Sequence, residues 1–280
     1  MLRERLERDG RFAIERAPQA DLGDIALAHD PGYVQAFVDG TLSAQSIRRI
    51  GFPWSEGLVA RTLCSAGATL AATRSALDTG FGGTLAGGTH HASYAEGSGF
   101  CVFNDIAVAI KTYRKRAAVI DLDVHQGDGT AAIFSGDPSV FTLSLHGENN
   151  FPLRKQNSTI DVAFRDGAGD DEYLSALEKL LPRVLEFQPE LVFYQSGVDG
   201  LATDKLGRLA LTPAGLESRD RMVFHAIGTA EIPIVILLGG GYSDPISLTV
   251  DAHEATFHCA ATAFLNGLAA ELHLSGGRRL

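Results

Sequence analysis

The stretch Ile120-Asp121-Leu122-Asp123-Val124-His125-Gln126-Gly127-Asp128-Gly129 decides how the rest of this chain is read. It directly follows the apolar run Ala117-Ala118-Val119. Such a run, ending in charged residues, reads as a buried parallel strand whose last residues leave the sheet. In open α/β sheets, ligands bind at the carboxyl ends of the strands. Asp123 and His125 are two positions apart, so on extended backbone they point the same way. A carboxylate oxygen beside an imidazole nitrogen is half of a zinc-type site. The plainer reading, a solvated acidic loop with a hydrogen-bonded His125, weakens only because other segments supply matching parts.

Those segments come in order along the chain. Gly87-Gly88-Thr89-His90-His91 sets two histidines on a glycine-rich loop, and Asp121 and Asp128 are spare acids that could fix their ring tautomers. Two surface histidines remain the alternative. Leu191 to Ser196 reads as a second buried strand, ending at Gly197-Val198-Asp199. Asp199 could be a solvated acid or helix cap, or the third ligand of an Asp/His/Asp site with one position open for water. Ile232 to Leu238 is the most apolar strand and runs into Gly239-Gly240-Gly241-Tyr242. That segment lacks the spacing of a phosphate-binding loop. Its glycines suit close backbone approach to a ligand, with Tyr242 offering its hydroxyl to a developing oxyanion.

Between these parts lie helical patterns at Glu56–Leu77, from Asn104 or Asp105 to Tyr113, from Gly169 to Phe187 with Pro182 as a candidate kink, from Thr212-Pro213 onward, and at Ser247–Leu265. Ser139 to His146 reads as a further strand. Gly80, Gly82 and Gly83 read as loop, and Asp30-Pro31-Gly32 as a turn. Alternating strands and helices make this an α/β chain with a parallel sheet. Its 280 residues suit one catalytic domain spanning 1–280, with a loose tail from about 266.

Composition narrows the partners. The net charge of −10 argues against a nucleic-acid backbone as ligand. No apolar run approaches a membrane span. Cys64, Cys101 and Cys259 form no paired spacing, and the N-terminus is a charged helical pattern, so a reducing cytoplasm is the expected setting. Oligomeric state is not legible.

The segments GGTHHAS, GSGFCVFND, IDLDVHQGDG, SLH, YQSGVD and LLGGGY, in this order, resemble the zinc-dependent histone deacetylase family, over about residues 28–264. DDEYL (170–174) and DKLGRLALTPAGLESRD (204–220) are most similar to its class IV branch. The resemblance implies an arginase-like open, mostly parallel sheet flanked by helices on both faces. It implies Zn2+ on Asp123, His125 and Asp199, and a histidine dyad of His90 and His91 backed by Asp121 and Asp128. It also implies a transition-state tyrosine at Tyr242. Substrate contacts fall on Gly99, Phe100, Phe151, Leu206, Gly240 and Gly241. A structural K+ falls on Asp121, Asp123, His125, Ser144 and Leu145. The family carries a strand and rim loop ahead of the position of Met1, so one wall of the mouth is expected to be less enclosed here.

The implied activity is removal of acetyl or longer acyl groups from an acylated lysine peptide or protein, or from an acylated small amine such as an acetylpolyamine. The class IV likeness implies tolerance of fatty acyl groups. Two other readings stand beside it: a catalytically inactive acyl-binding relative, and a binuclear manganese ureohydrolase of arginase type. The second lacks a second carboxylate/histidine cluster around Asp199.

Overall fold

The computed structural model describes residues 1–275, with side chains to 264. Four short helices come first: α1 (Leu2–Asp9), α2 (Leu22–Ile25), α3 (Pro31–Val38) and α4 (Ala44–Ile50). Then come α5 (Glu56–Thr79), β1 (Phe81–Gly83), α6 (Asp105–Tyr113), β2 (Ala117–Asp121), α7 (Asp128–Ile133), β3 (Val140–Gly147) and β4 (Ile160–Phe164). The chain continues with α8 (Asp170–Glu186), β5 (Leu191–Gln195), α9 (Pro213–Thr229), β6 (Ile234–Leu237) and α10 (Ile246–Ser275).

The strands form one sheet in the order β1-β6-β5-β2-β3-β4, and every pairing is parallel. Chain order reverses between β2 and β5. That is the switch point at which an open α/β sheet makes its crevice. The central strands are buried on both faces. Ala118, Ile120, Val192, Tyr194, Ile234 and Ile236 face one apolar core, which also takes in α8 and α9 residues such as Leu181 and Phe224. Ala117, Val119, Leu191, Phe193, Val235 and Leu237 alternate to the opposite core, with Ile106 of α6 and Phe37 of α3. A period of two with both sides apolar explains why these strands read as unbroken hydrophobic runs.

Capping residues set the helix starts. Ser55, Asn104 and Thr212 accept hydrogen bonds from the backbone N–H groups of Leu58, Ala107 and Gly215. Asp170 accepts from both the N–H and the hydroxyl of Thr212, tying the start of α8 to that of α9.

Several local expectations change. Asp30-Pro31 is a helix start, not a turn, because Asp30 caps α3 through the N–H of Tyr33 and Pro31 occupies the first helical position. Phe81-Gly82-Gly83 is not loop but the edge strand β1, paired to β6. A side chain at Gly82 would overlap the Ala72 carbonyl of α5, so glycine is what lets this strand sit so close to a helix. β4, at the other edge, has no counterpart in the sequence reading. Helix α8 runs through Pro182. Helix α10 extends beyond Leu265, and the rest of the expected tail, 276–280, lies outside the described residues. Among the described residues no helix is long and apolar enough to cross a membrane.

Burial pushes His29, His146 and His253 down to about 4. Their ordinary value is about 6.5. The unfolded chain therefore binds protons that the native chain refuses, so their contribution to stability is complete above pH 6.5 and is lost as pH falls toward 4. In an NMR pH titration of the folded protein these three rings are expected to stay neutral at pH 5. A ring that titrates near 6.5 would lie in water instead.

Candidate active site

Four strand ends supply the site, and each does so because its apolar run stops there. β2 delivers Asp121 and then Asp123 and His125; β5 delivers Asp199; β6 delivers the 239–242 loop; β3 lies alongside β2 with Ser144 opposite Asp121. Asp123, His125 and Asp199 offer ligand atoms that all lie within 4.8 Å of one another. His125 Nδ1 stands 3.0 Å from Asp123 Oδ1 and 3.1 Å from Asp199 Oδ2.

This arrangement fits a cation. Asp123 and Asp199 are buried at 1% and 0% exposure. Burial and the neighbouring Asp123 push the Asp199 carboxyl up to about 7. Against burial, His90 and His125 hold Asp123 below the usual carboxylate range, while the two aspartates lift His125 to about 10. Two carboxylates and a ring nitrogen that all call for positive charge in one dry spot make a donor set for a dication of zinc type.

Backbone groups aim these ligands. Gly240 N–H donates to Asp123 Oδ2 at 2.7 Å, and Val124 N–H donates to Asp199 Oδ1 at 2.9 Å. A Cβ at Gly240 would overlap Asp199 Oδ2. Glycine is required there for close approach rather than for flexibility.

The histidines stand beside this set. His90 Nδ1 lies 2.7 Å from Asp121 Oδ2, and His91 Nδ1 lies 2.6 Å from Asp128 Oδ1. Carboxylates accept, so each Nδ1 carries the proton and a neutral ring keeps its lone pair on Nε2. Burial lowers His90, but Asp121 and Asp123 outweigh it and raise the ring to about 9. Burial and the charge on His90 push His91 down to about 4. The two rings, with centroids 4.1 Å apart, are thus pushed in opposite directions, and His91 is the one that favours the neutral form.

Gly99, Phe100, Phe151, Leu206, Gly240 and Tyr242 line one cavity with Asp123, His125, Asp199 and both dyad histidines. Phe100, Phe151, Leu206 and Tyr242 are each 40–51% exposed, although apolar or aromatic, because they wall its opening. The Phe151 ring meets His91 edge-on at 4.8 Å. Gly241 does not line this cavity; its Cα faces Thr249, Val198 and His253. Ser144 and Leu145 lie on β3 beside Asp121, with the Ser144 hydroxyl 2.9 Å from His146 Nδ1.

Supporting residues went unread in the sequence. Asp105 accepts from the N–H groups of Gly88 and Thr89 and from the hydroxyls of Thr69 and Thr89, which fixes the loop that carries the dyad. Asn104 donates to the Ala92 carbonyl and Thr130 Oγ1. Arg219, fully buried on α9, donates to the carbonyls of Gly197 (2.6 Å) and Leu122 (3.3 Å) and pairs with Asp220. Asp220 in turn accepts from Tyr194 and Thr256. One guanidinium therefore ties together the two segments that carry the metal-type ligands. The signal for it was an arginine on the apolar stripe Leu216, Val223, Phe224, Ile227.

With this geometry in hand, comparison with known proteins is informative. Residues 1–257 match the histone deacetylase domain. An uncharacterized protein of Picosynechococcus sp. is 44% identical over 265 residues, covering 91% of this chain and 88% of that protein. Histone deacetylase 2 of Arabidopsis thaliana is 37% identical over 63% of this chain and 48% of its own length. Histone deacetylase 6 of the same plant is 31% identical over 83% of this chain and 55% of its own. The chain belongs to the histone deacetylase family. It spans about half the length of those two named deacetylases.

Arg219→Met is expected to lower unfolding free energy by about 3–5 kcal/mol, because it strands the buried Asp220 carboxylate. It should also weaken retention of a divalent ion, since two ligand-bearing segments lose their common tie. Urea unfolding together with metal titration checks both effects. Stability within about 1 kcal/mol of wild type would show that the pair is not needed.

Proposed function

We propose that this chain is a zinc-dependent deacylase that hydrolyses acylated lysine side chains of peptides or proteins. The observation that carries the reading is the convergence of an Asp/His/Asp donor set, a histidine pair held by Asp121 and Asp128, and a tyrosine on one aromatic-walled cavity. Asp123, His125 and Asp199 would hold the zinc. When bound, the ion supplies Lewis acidity to the amide carbonyl and makes water more acidic.

The chain's own groups do the rest. His91, neutral at Nε2, takes the proton from the attacking water and later passes it to the leaving amine. His90, cationic between Asp121 and His91, stabilises the negative charge that develops. The Tyr242 hydroxyl donates to the oxyanion of the tetrahedral intermediate. Phe100, Phe151 and Leu206 wrap the lysine methylenes and keep bulk water away. A structural K+ against Asp121, Asp123, His125, Ser144 and Leu145 belongs to the same reading, as does a place in the class IV branch. A small acylated amine stands as the second substrate class.

The size of the cavity supports a long acyl range. Its volume of about 1730 Å3 exceeds the ~300–1,000 Å3 of an ordinary small-ligand pocket. Its lining also includes a second apolar group, Phe12, Ile14, Phe81, Phe257 and Ala261. Each methylene buried there adds up to about 0.8 kcal/mol before lost rotamer freedom is subtracted.

On matched acyl-lysine peptides, kcat/KM is expected to rise from acetyl to medium or long chains. Acetyl as best substrate, with a steady fall thereafter, would overturn the acyl assignment. Tyr242→Phe is expected to lower kcat roughly 10²–10³-fold with bound metal unchanged. Wild-type kcat in that variant would remove Tyr242 from the chemistry. Metal analysis should give one zinc per chain; no hydrolysis of any acylated amine by zinc-loaded protein would refute the reading as a whole.

A further inference from the structure

The opening of the cavity is cationic in a protein whose net charge is −10. Seven arginines line the cavity. Apart from the ligand-type Asp123 and Asp199, its one acid is Glu15, on the N-terminal segment beside Phe12 and Ile14. Arg48, Arg49, Arg61 and Arg208 line it together with the exposed aromatic wall. Arg48 and Arg49 end α4 and lead through Ile50 and Gly51 to Phe52. The Phe100 backbone bonds to the Ile50 carbonyl, and its ring lies 5.2 Å from Phe52. Arg61 of α5 stacks its guanidinium 4.6 Å above Phe52. Arg208 joins the lining with Leu206 and Asn150, its backbone N–H donating to Asn150 Oδ1.

Neutralisation is partial. Arg49 pairs with Glu96, and Arg208 pairs with Asp166 at 3.1 Å. Arg48 and Arg61 form no ion pair among the described residues. A plainer cause exists for part of this set: Arg48 and Arg49 sit in the last turn of α4, where cations suit the helix dipole. That cause does not extend to Arg61, near the start of α5, or to Arg208, which lies on a loop. Four arginines from three separate segments converge on one opening, and what they share is the ligand that enters there. Planar guanidinium groups match carboxylates in geometry as well as in charge.

We propose that this opening selects acyl-amine substrates with carboxylates close to the reacting side chain, that is, acidic peptide segments in preference to basic ones. The proposal rests on the deacylase reading above and names its substrate class. The acylated side chain enters uncharged, and the flanking acids lie across Arg48 and Arg61, the two of these four guanidinium groups without an acidic partner among the described residues.

The test uses zinc-loaded full chain and three peptides with one acyl-lysine each, flanked by Glu, by Ala or by Lys. Binding is followed by fluorescence anisotropy and hydrolysis by product formation. Exposed charge contacts are individually weak, so the expected preference is about 3- to 10-fold in Kd for the Glu peptide over the Lys peptide at low salt. It should shrink toward unity near 1 M NaCl, where the Debye length is about 3 Å. In the double variant R48Q/R61Q the ratio of Glu-peptide to Ala-peptide affinity should also fall toward one. Equal or tighter binding of the Lys peptide, or a preference that survives both high salt and the double variant, overturns the proposal. A change in folding stability with the Glu/Ala ratio intact would give the two arginines a structural role only and overturn it equally. The two readings separate: charge preference in binding without hydrolysis of any peptide leaves the acidic-ligand preference standing and refutes the acyl-lysine substrate, whereas hydrolysis without charge preference does the reverse.

Discussion

Two carboxylates, Asp123 and Asp199, meet on the lining of the cavity with almost none of their own surface exposed. Desolvating an ion costs on the order of several kcal/mol even after relaxation, and a like charge alongside adds to it. Nothing in the sheet itself offsets that. The cost is met locally by the Gly240 and Val124 N–H groups, by His125 and by the cationic His90. The site is thus arranged around a demand for positive charge, and a dication answers it more fully than a shared proton does. The neighbouring features follow from the same demand. Glycines stand where any side chain would intrude on the carboxylates, and Asp121 raises His90 so that a cation stays beside them.

Positioning these groups falls to the parallel sheet and to one residue behind it. Parallel strands end on the same side, so Asp123 and Asp199, 76 positions apart in sequence, emerge at adjacent strand ends. The sheet aligns strand ends but not the irregular turns that follow them. Arg219 joins those turns by donating to the Leu122 and Gly197 carbonyls, and it brings a buried charge with Asp220 as counter-ion. A neutral side chain could fill the space but could not satisfy two turn carbonyls and a carboxylate together. That is the sense in which a buried ion pair specifies geometry rather than adding stability.

The sequence displays what repeats and hides what happens once. β2, β5 and β6 are legible because they are apolar on both faces and break into polar residues at the site. The pairing of Asp121 with His90 and Asp128 with His91 is met at 2.7 and 2.6 Å. β1 is hidden because an edge strand of three residues, two of them glycine, carries no periodic signal. β4, half exposed at the other edge, alternates too briefly to stand out. Arg219 is hidden for a different reason: a charged residue on a helix is ordinarily taken as solvated, and only the packing of α9 shows that its neighbours at Leu216, Val223 and Phe224 leave it no water. Gly241 was read with the loop it belongs to, whereas the loop turns its glycines in different directions.

Charge changes sign along the path from solvent to the carboxylates. Arginines stand at the opening, aromatic rings form the walls, and acids lie at the floor beneath their counter-charge. For the proposed reaction this order has a directional consequence. An acyl-lysine side chain is neutral, so its entry past Arg48 and Arg61 costs little, and flanking acids would assist it. Hydrolysis turns the same side chain into an ammonium, which the cationic His90 and the arginines at the rim both repel. The acyl product carries the opposite charge, and the same cavity offers Phe12, Phe81 and Phe257 to its chain and Arg3, Arg11 and Arg16 to its carboxylate. The two products are therefore unequally held. The amine is driven out through the opening it entered, while the longer the acyl chain, the more its release depends on giving up the very burial that favoured its binding.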